Sequence, residues 1–180
     1  MRRVAVSGIG VISPLGNGTV EVMACARAGR SGVRRLETEF ASRLAAPIAA
    51  TARVDDGHDI DAGKARMLDR FSLFALLAAN QAVQGSRGAL AGIARERGGV
   101  FVGTGMGGTH TMDDGYQTLY GDHSDRIKPF TILMGMHNAA AAWIGIEQGL
   151  RGPNMTYSTA CSSATVAIGE AWLRVACGQL

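Results

Sequence analysis

One cysteine stands where a nucleophile would stand. Ser158 to Ser163 reads STACSS, between a short β-type run, Asn154 to Ser158, and an apolar stretch, Ala164 to Ala176, of helical character. Thiolate is the nucleophilic form of cysteine, and the unpaired N–H groups and positive dipole end in a helix's first turn favour it. Ala160, Ser162 and Ser163 leave room for a substrate carbonyl, and a backbone N–H beside the cysteine can donate to an oxyanion. The arrangement suits nucleophilic attack on a carbonyl. Local chemistry alone leaves a second reading open, because free cysteine is among the most buried residue types and is usually inert. Cys25 and Cys177, placed mid-helix among apolar residues, are expected to be packing thiols of that inert kind.

The remaining groups with chemical potential are less telling. Gly103 to Gly108 reads GTGMGG after a β-rich run and satisfies the spacing G-x-G-x-x-G. A dinucleotide site also needs a second strand about 20 residues on, ending in Asp or Glu. The sequence there, Tyr120 to Arg126, is polar and loop-like. The glycines are better read as points of close backbone approach or positive φ. No Gly-Lys-Ser/Thr follows, which excludes a P-loop. The histidines His58, His110, His123 and His137 are isolated from any carboxylate or cysteine pattern and are expected to be surface or structural. Three widely spaced cysteines without a CxxC pair speak for reduced thiols in a cytoplasmic protein, with no disulfide framework and no metal site.

The elements that must position Cys161 alternate. Arg3 to Ser7 is expected to be a buried first strand turning at Gly8 and Gly10. Asn17 is placed to cap a helix stopped by Gly29. Arg30 to Asp59 is irregular, with one strand at Ile48 to Val54. Asp61 caps a short helix, and Asp69 leads into a helix apolar on almost every face, which must be buried on more than one side. A strand at Gly98 to Gly103, a small-residue helix at Asn138 to Gln148, the strand before Cys161 and the helix after it complete the series. That helix is apolar nearly all round and would seat the nucleophile on a rigid central element. The order favours an α/β architecture with a mostly parallel sheet and helices on both faces.

Composition agrees. The chain has 180 residues, 47% hydrophobic and 18% charged, enough for one compact domain with a real core. A formal charge of +3 with scattered Lys and Arg gives no basic stripe for nucleic acid. No run approaches the roughly 18 apolar residues of a membrane span, and the N-terminal apolar run is too short for a signal peptide.

Taken together and in order, several stretches resemble the N-terminal half of the β-ketoacyl-acyl carrier protein synthases of the elongating type II kind. They are Arg3 to Gly16 (RVAVSGIGVISPLG), Ala28 to Gly32 (AGRSG), Asp69 to Phe71 (DRF), Gly103 to Gly108 (GTGMGG), Leu150 to Asn154 (LRGPN) and Ser158 to Ser163. The resemblance covers nearly the whole chain. It implies a thiolase-like αβαβα sandwich of which residues 1–180 form the N-terminal domain. It also implies that Cys161 carries the growing acyl chain as a thioester. A malonyl thioester on acyl carrier protein then loses carbon dioxide and condenses with that acyl group, giving a 3-oxoacyl product for fatty acid or polyketide synthesis. No cofactor is implied. Acyl carrier protein, loaded with acyl or malonyl groups, and a second copy in a homodimer are the implied partners. The retained cysteine separates the chain from chain-length factors, which resemble these enzymes but lack the nucleophile.

The same resemblance places two decarboxylating histidines, a lysine and the second oxyanion donor in a C-terminal half beyond Leu180, and none of the four histidines matches them. A chain ending at Leu180 is therefore expected to be inactive alone and to self-associate. Met106 matches a gating residue at the inner end of the acyl pocket, and core packing is its alternative role. Thr131 matches a position at which elongating enzymes place a bulky residue reaching into the partner subunit's pocket, so its small size points toward a secondary-metabolite substrate such as an aryl polyene. A non-catalytic half-domain pairing with a complete synthase is the competing function.

Overall fold

A computed structural model describes residues 1–54 and 60–180. The site is built around one parallel strand pair, β5 (Val100–Gly103) and β6 (Asn154–Tyr157), in register from Val100 opposite Asn154 to Gly103 opposite Tyr157. Two short antiparallel hairpins precede it. One joins β1 (Ile12–Ser13) to β2 (Gly16–Asn17), and the other joins β3 (Arg34–Arg35) to β4 (Ile48–Ala49). The helices are α1 (Thr19–Arg27), α2 (Ala62–Ala65), α3 (Arg70–Gly85), α4 (Thr109–Tyr116), α5 (Thr131–Gly135), α6 (Ala139–Gln148) and α7 (Ser163–Ala176).

The strand pair is covered on both faces, and side-chain alternation shows how. Val100 faces Gly145 of α6, whereas Gly103, three positions on and so on the other face, lies against Ser163 and Ala164 of α7. The small face of α6, with Ala139, Ala140, Ala141 and Gly145 all buried, lets it sit close to the strands. Asn154 Nδ2 donates to Ala141 O at 2.8 Å and locks that approach. On its outer side α6 packs on α3. Ile60, Leu68 and Leu76 form a buried cluster there, flanked by Leu73, Leu77, Trp143 and Ile144. The α/β expectation, with a parallel pair between helical layers, therefore holds.

Capping explains the helix starts. Asp61 accepts the Lys64 N–H at 3.0 Å, and Asp69 accepts the Phe71 N–H at 3.0 Å, both as expected from sequence. Asn17 does not cap α1. Gly18, at φ 110°, is the cap residue, and Asn17 Nδ2 instead donates to Arg53 O. Gly29, at φ 64°, follows the end of α1 as expected.

Three further expectations need correction. Arg3 to Ser7 forms no strand, and Val6 is 81% exposed. A strand needs a neighbour for its ladder, and this segment pairs with none among the described residues. The turn that follows it lies against α3, where any side chain at Gly8 or Gly10 would overlap the carbonyls of Ala82 and Ala78. The strand expected over Ile48 to Val54 is only two residues long because its partner, Arg34–Arg35, is equally short. Finally, α7 is not enclosed. One side packs on β5, while Ile168 (70% exposed), Trp172 and Leu173 face outward.

Candidate functional site

Cys161 lies in a single 3-10 turn, Ala160–Ser162, between β6 and α7, and its side chain is exposed. The turn is held in an unusual shape. Ala160 has φ 52°, a left-handed conformation that costs an L-residue with a Cβ about 1–2 kcal/mol. Such strain persists only where surrounding bonds over-determine it, and here they do. Buried Ser163 accepts the Thr159 N–H at 2.9 Å and donates to Ala160 O at 2.6 Å, and Ser162 Oγ donates to Thr159 O at 2.7 Å. The Ser162 N–H binds Thr159 O and the Ser163 N–H binds Ala160 O. Among the described residues, the Cys161 N–H meets no acceptor. It is thus free to donate to an oxygen arriving beside the thiol.

Sequence reasoning treated Ser162 and Ser163 as small residues that leave space. The structure gives them the further task of tying the turn, and Ser163 is too buried to border a substrate. The signal was present in the residue types: two hydroxyls, where alanine would have served for space alone, at a helix start where Ser favours local bonds to backbone.

The glycine-rich loop forms the neighbouring wall. Gly103 lets β5 approach the start of α7, and an ideal Cβ on Gly105 would stand 3.7 Å from Ala160 O. The Gly107 N–H donates to Thr104 Oγ1 at 3.1 Å, and the Thr104 N–H continues the ladder to Tyr157 O at 3.0 Å. These glycines serve close packing, and among the described residues only helices and turns lie between β5 and β6, so no second strand stands where a dinucleotide fold would place one.

The loop brings Met106, 70% exposed, into the same region as Cys161, since its neighbour Gly105 lies against Ala160. Thr131 opens α5 and is elsewhere. Its hydroxyl donates to Lys128 O at 2.8 Å and its methyl faces Gly115 of α4. His110, His123 and His137 are exposed, and His58 lies outside the described residues. Cys25 is half-buried in α1 as expected, but Cys177 is exposed because it forms the end of α7 rather than its middle. No group of three metal-ligating side chains occurs among the described residues, and no described helix is long and apolar enough to cross a membrane.

Known proteins share this sequence pattern and fold. The family model described as Beta-ketoacyl synthase, N-terminal domain, matches residues 1–180. The 3-oxoacyl-[acyl-carrier-protein] synthase 2 of Staphylococcus aureus (strain N315) is 32% identical over 174 residues, 95% of this chain and 42% of the relative. Nodulation protein E of Rhizobium meliloti (strain 1021) is 33% identical over 183 residues, 99% of this chain and 44% of the relative. The crystal structure of a β-ketoacyl synthase from Burkholderia phymatum STM815 superposes with TM-score 0.82 at 25% identity, covering 99% of this chain and 44% of that one. The chain thus spans less than half the length of these relatives.

Proposed function

The chain belongs to the β-ketoacyl synthase family, matching its N-terminal domain over residues 1–180, and from that premise we propose that it supplies the acyl-carrying half of a decarboxylative condensing enzyme. Cys161 Sγ attacks the carbonyl of an acyl thioester on acyl carrier protein. The carrier thiolate leaves, and the acyl group stays on Cys161 as a new thioester. Malonyl-carrier thioester then loses carbon dioxide. Its carbanion attacks the acyl carbonyl, a carbon–carbon bond forms, and the Cys161 thiolate departs, releasing a 3-oxoacyl-carrier product two carbons longer. The Cys161 N–H stabilises the oxyanion in both attacks.

One observation carries this reading: an exposed cysteine on a strained turn fixed by Ser162 and Ser163, with its own N–H unbonded. A scaffold with no chemistry has no use for that strain. The carrier and the 3-oxoacyl product are supported by the name of the Staphylococcus relative, a 3-oxoacyl-[acyl-carrier-protein] synthase. Met106 is proposed to gate the acyl chain from the wall beside Cys161, Thr131 to bound the far pocket, and the complete enzyme to be a cytoplasmic homodimer. Decarboxylation is assigned to residues the family carries in its other half, so residues 1–180 alone are proposed not to condense.

The test is acyl transfer from labelled acyl-carrier protein to the full-length protein. The label is expected on Cys161, absent from Cys177, which is also exposed, and lost in Cys161→Ala. Label that survives that substitution, or that spreads equally to Cys177, would refute the reading.

A further inference from the structure

A carboxylate far from Cys161 in sequence fixes the wall of its site. Asp69 is only 2% exposed, and its two oxygens serve two different helices. Oδ1 accepts the Phe71 N–H at 3.0 Å in the first turn of α3, and Oδ2 accepts the Thr111 N–H at 2.8 Å in the first turn of α4. Ordinary N-caps serve the one helix they precede. This carboxylate joins two helix starts, although Asp69 and Thr111 are 42 positions apart in the chain, with the positive dipole ends of both helices directed at one negative group.

The loop between β5 and α4 is therefore held at both ends. Gly103 is pressed against the start of α7 at one end. At the other, Gly108 donates to Gly135 O at 3.1 Å and α4 is tied through Thr111 to Asp69. Between these anchors lie Gly105, against Ala160, and Met106. The geometry points to Asp69 as a positioning residue that sets how closely the Gly103 to Gly108 wall stands to the Cys161 turn, transmitting the placement of α3 to the reacting residue. This rests on the reading of Cys161 as the reacting group.

Asp69→Asn isolates the second bond. Its remaining carbonyl oxygen can still cap α3, while its NH₂ cannot accept the Thr111 N–H. In the full chain, hydrogen exchange of the Thr111 amide and of the loop amides is expected to quicken about ten-fold or more. Amides within α3 stay within about two-fold of their original rates. The alkylation rate of Cys161 relative to Cys177 shifts by about three-fold or more. Should Asp69→Asn not fold, Asp69→Ser keeps one cap oxygen for the Phe71 N–H and offers no second oxygen to the Thr111 N–H, and the same changes are expected. Uniform acceleration in α3 and α4, or a loosened loop with unchanged Cys161 alkylation, would overturn the inference. If Cys161 is instead not the reacting group, Cys161→Ala keeps acyl transfer whatever the loop does, so the two failures are distinguishable.

Discussion

Ser163 shows how much of the site rests on a hydroxyl that touches no substrate. It accepts from Thr159 and donates to Ala160, which holds the left-handed residue immediately before the thiol. Ser163→Ala removes both bonds and leaves the Thr159 N–H without its acceptor, at a cost of about 1–3 kcal/mol. The urea midpoint is expected to fall accordingly. The larger effect is expected in chemistry, because two of the bonds that hold Ala160 at φ 52° are lost and those of Ser162 remain to hold it alone with the backbone. Acylation of Cys161 in Ser163→Ala should slow by more than the stability loss alone explains at a temperature where the variant is fully folded. An unchanged acylation rate in folded Ser163→Ala would show that the turn keeps its shape without these bonds.

Among the elements, close approach between β5 and α7 matters more than the composition of either. Gly103 has no room for a methyl group, since a Cβ there would overlap backbone atoms of Ser163 and Ala164 that cannot rotate away. Gly169, in the middle of α7, has nothing within 4 Å of its absent Cβ. The same substitution is therefore expected to act in opposite directions. Gly103→Ala destabilises by about 1–3 kcal/mol or more through overpacking, and Gly169→Ala stabilises by about 0.5–1 kcal/mol through helix propensity. Thermal melting of the two variants checks the pair, and a stable Gly103→Ala would mean that α7 can slide on the sheet. Sequence patterning captured α3, α6, β5 and β6 because each carries its own signal: a capping Asp69, a terminating Gly149, short β-rich runs after Gly or Pro. It failed at Arg3 to Ser7, whose β-type composition reports a preference and cannot supply a partner strand. It singled out Cys161 as the candidate from the small residues around it, yet a positive φ at Ala160 and an Asp69 carboxylate that joins the N–H groups of Phe71 and Thr111 are tertiary facts with no local signature.

At the scale of the whole molecule, apolar surface concentrates around α5 and α6. Phe130, Leu133, Met136 and Ile146 are 47%, 60%, 43% and 70% exposed. With Met67 and Trp143 they line an apolar depression of about 310 Å³. Monomeric proteins rarely leave contiguous patches beyond a few hundred Å² uncovered. Covering such a patch on two copies removes apolar surface from water, which favours association, and a net charge of +3 offers little repulsion to oppose it. The chain of 180 residues is therefore expected to sediment as a dimer or larger species at micromolar concentration. The double substitution Leu133→Glu with Ile146→Glu places charges on this surface without touching the buried Ile60, Leu68 and Leu76 cluster, so the fold should persist while association weakens. Sedimentation velocity with a circular dichroism control reads both quantities. A wild-type chain that remains monomeric across that range, or a double variant that associates as strongly as wild type, would show that this surface does not drive assembly.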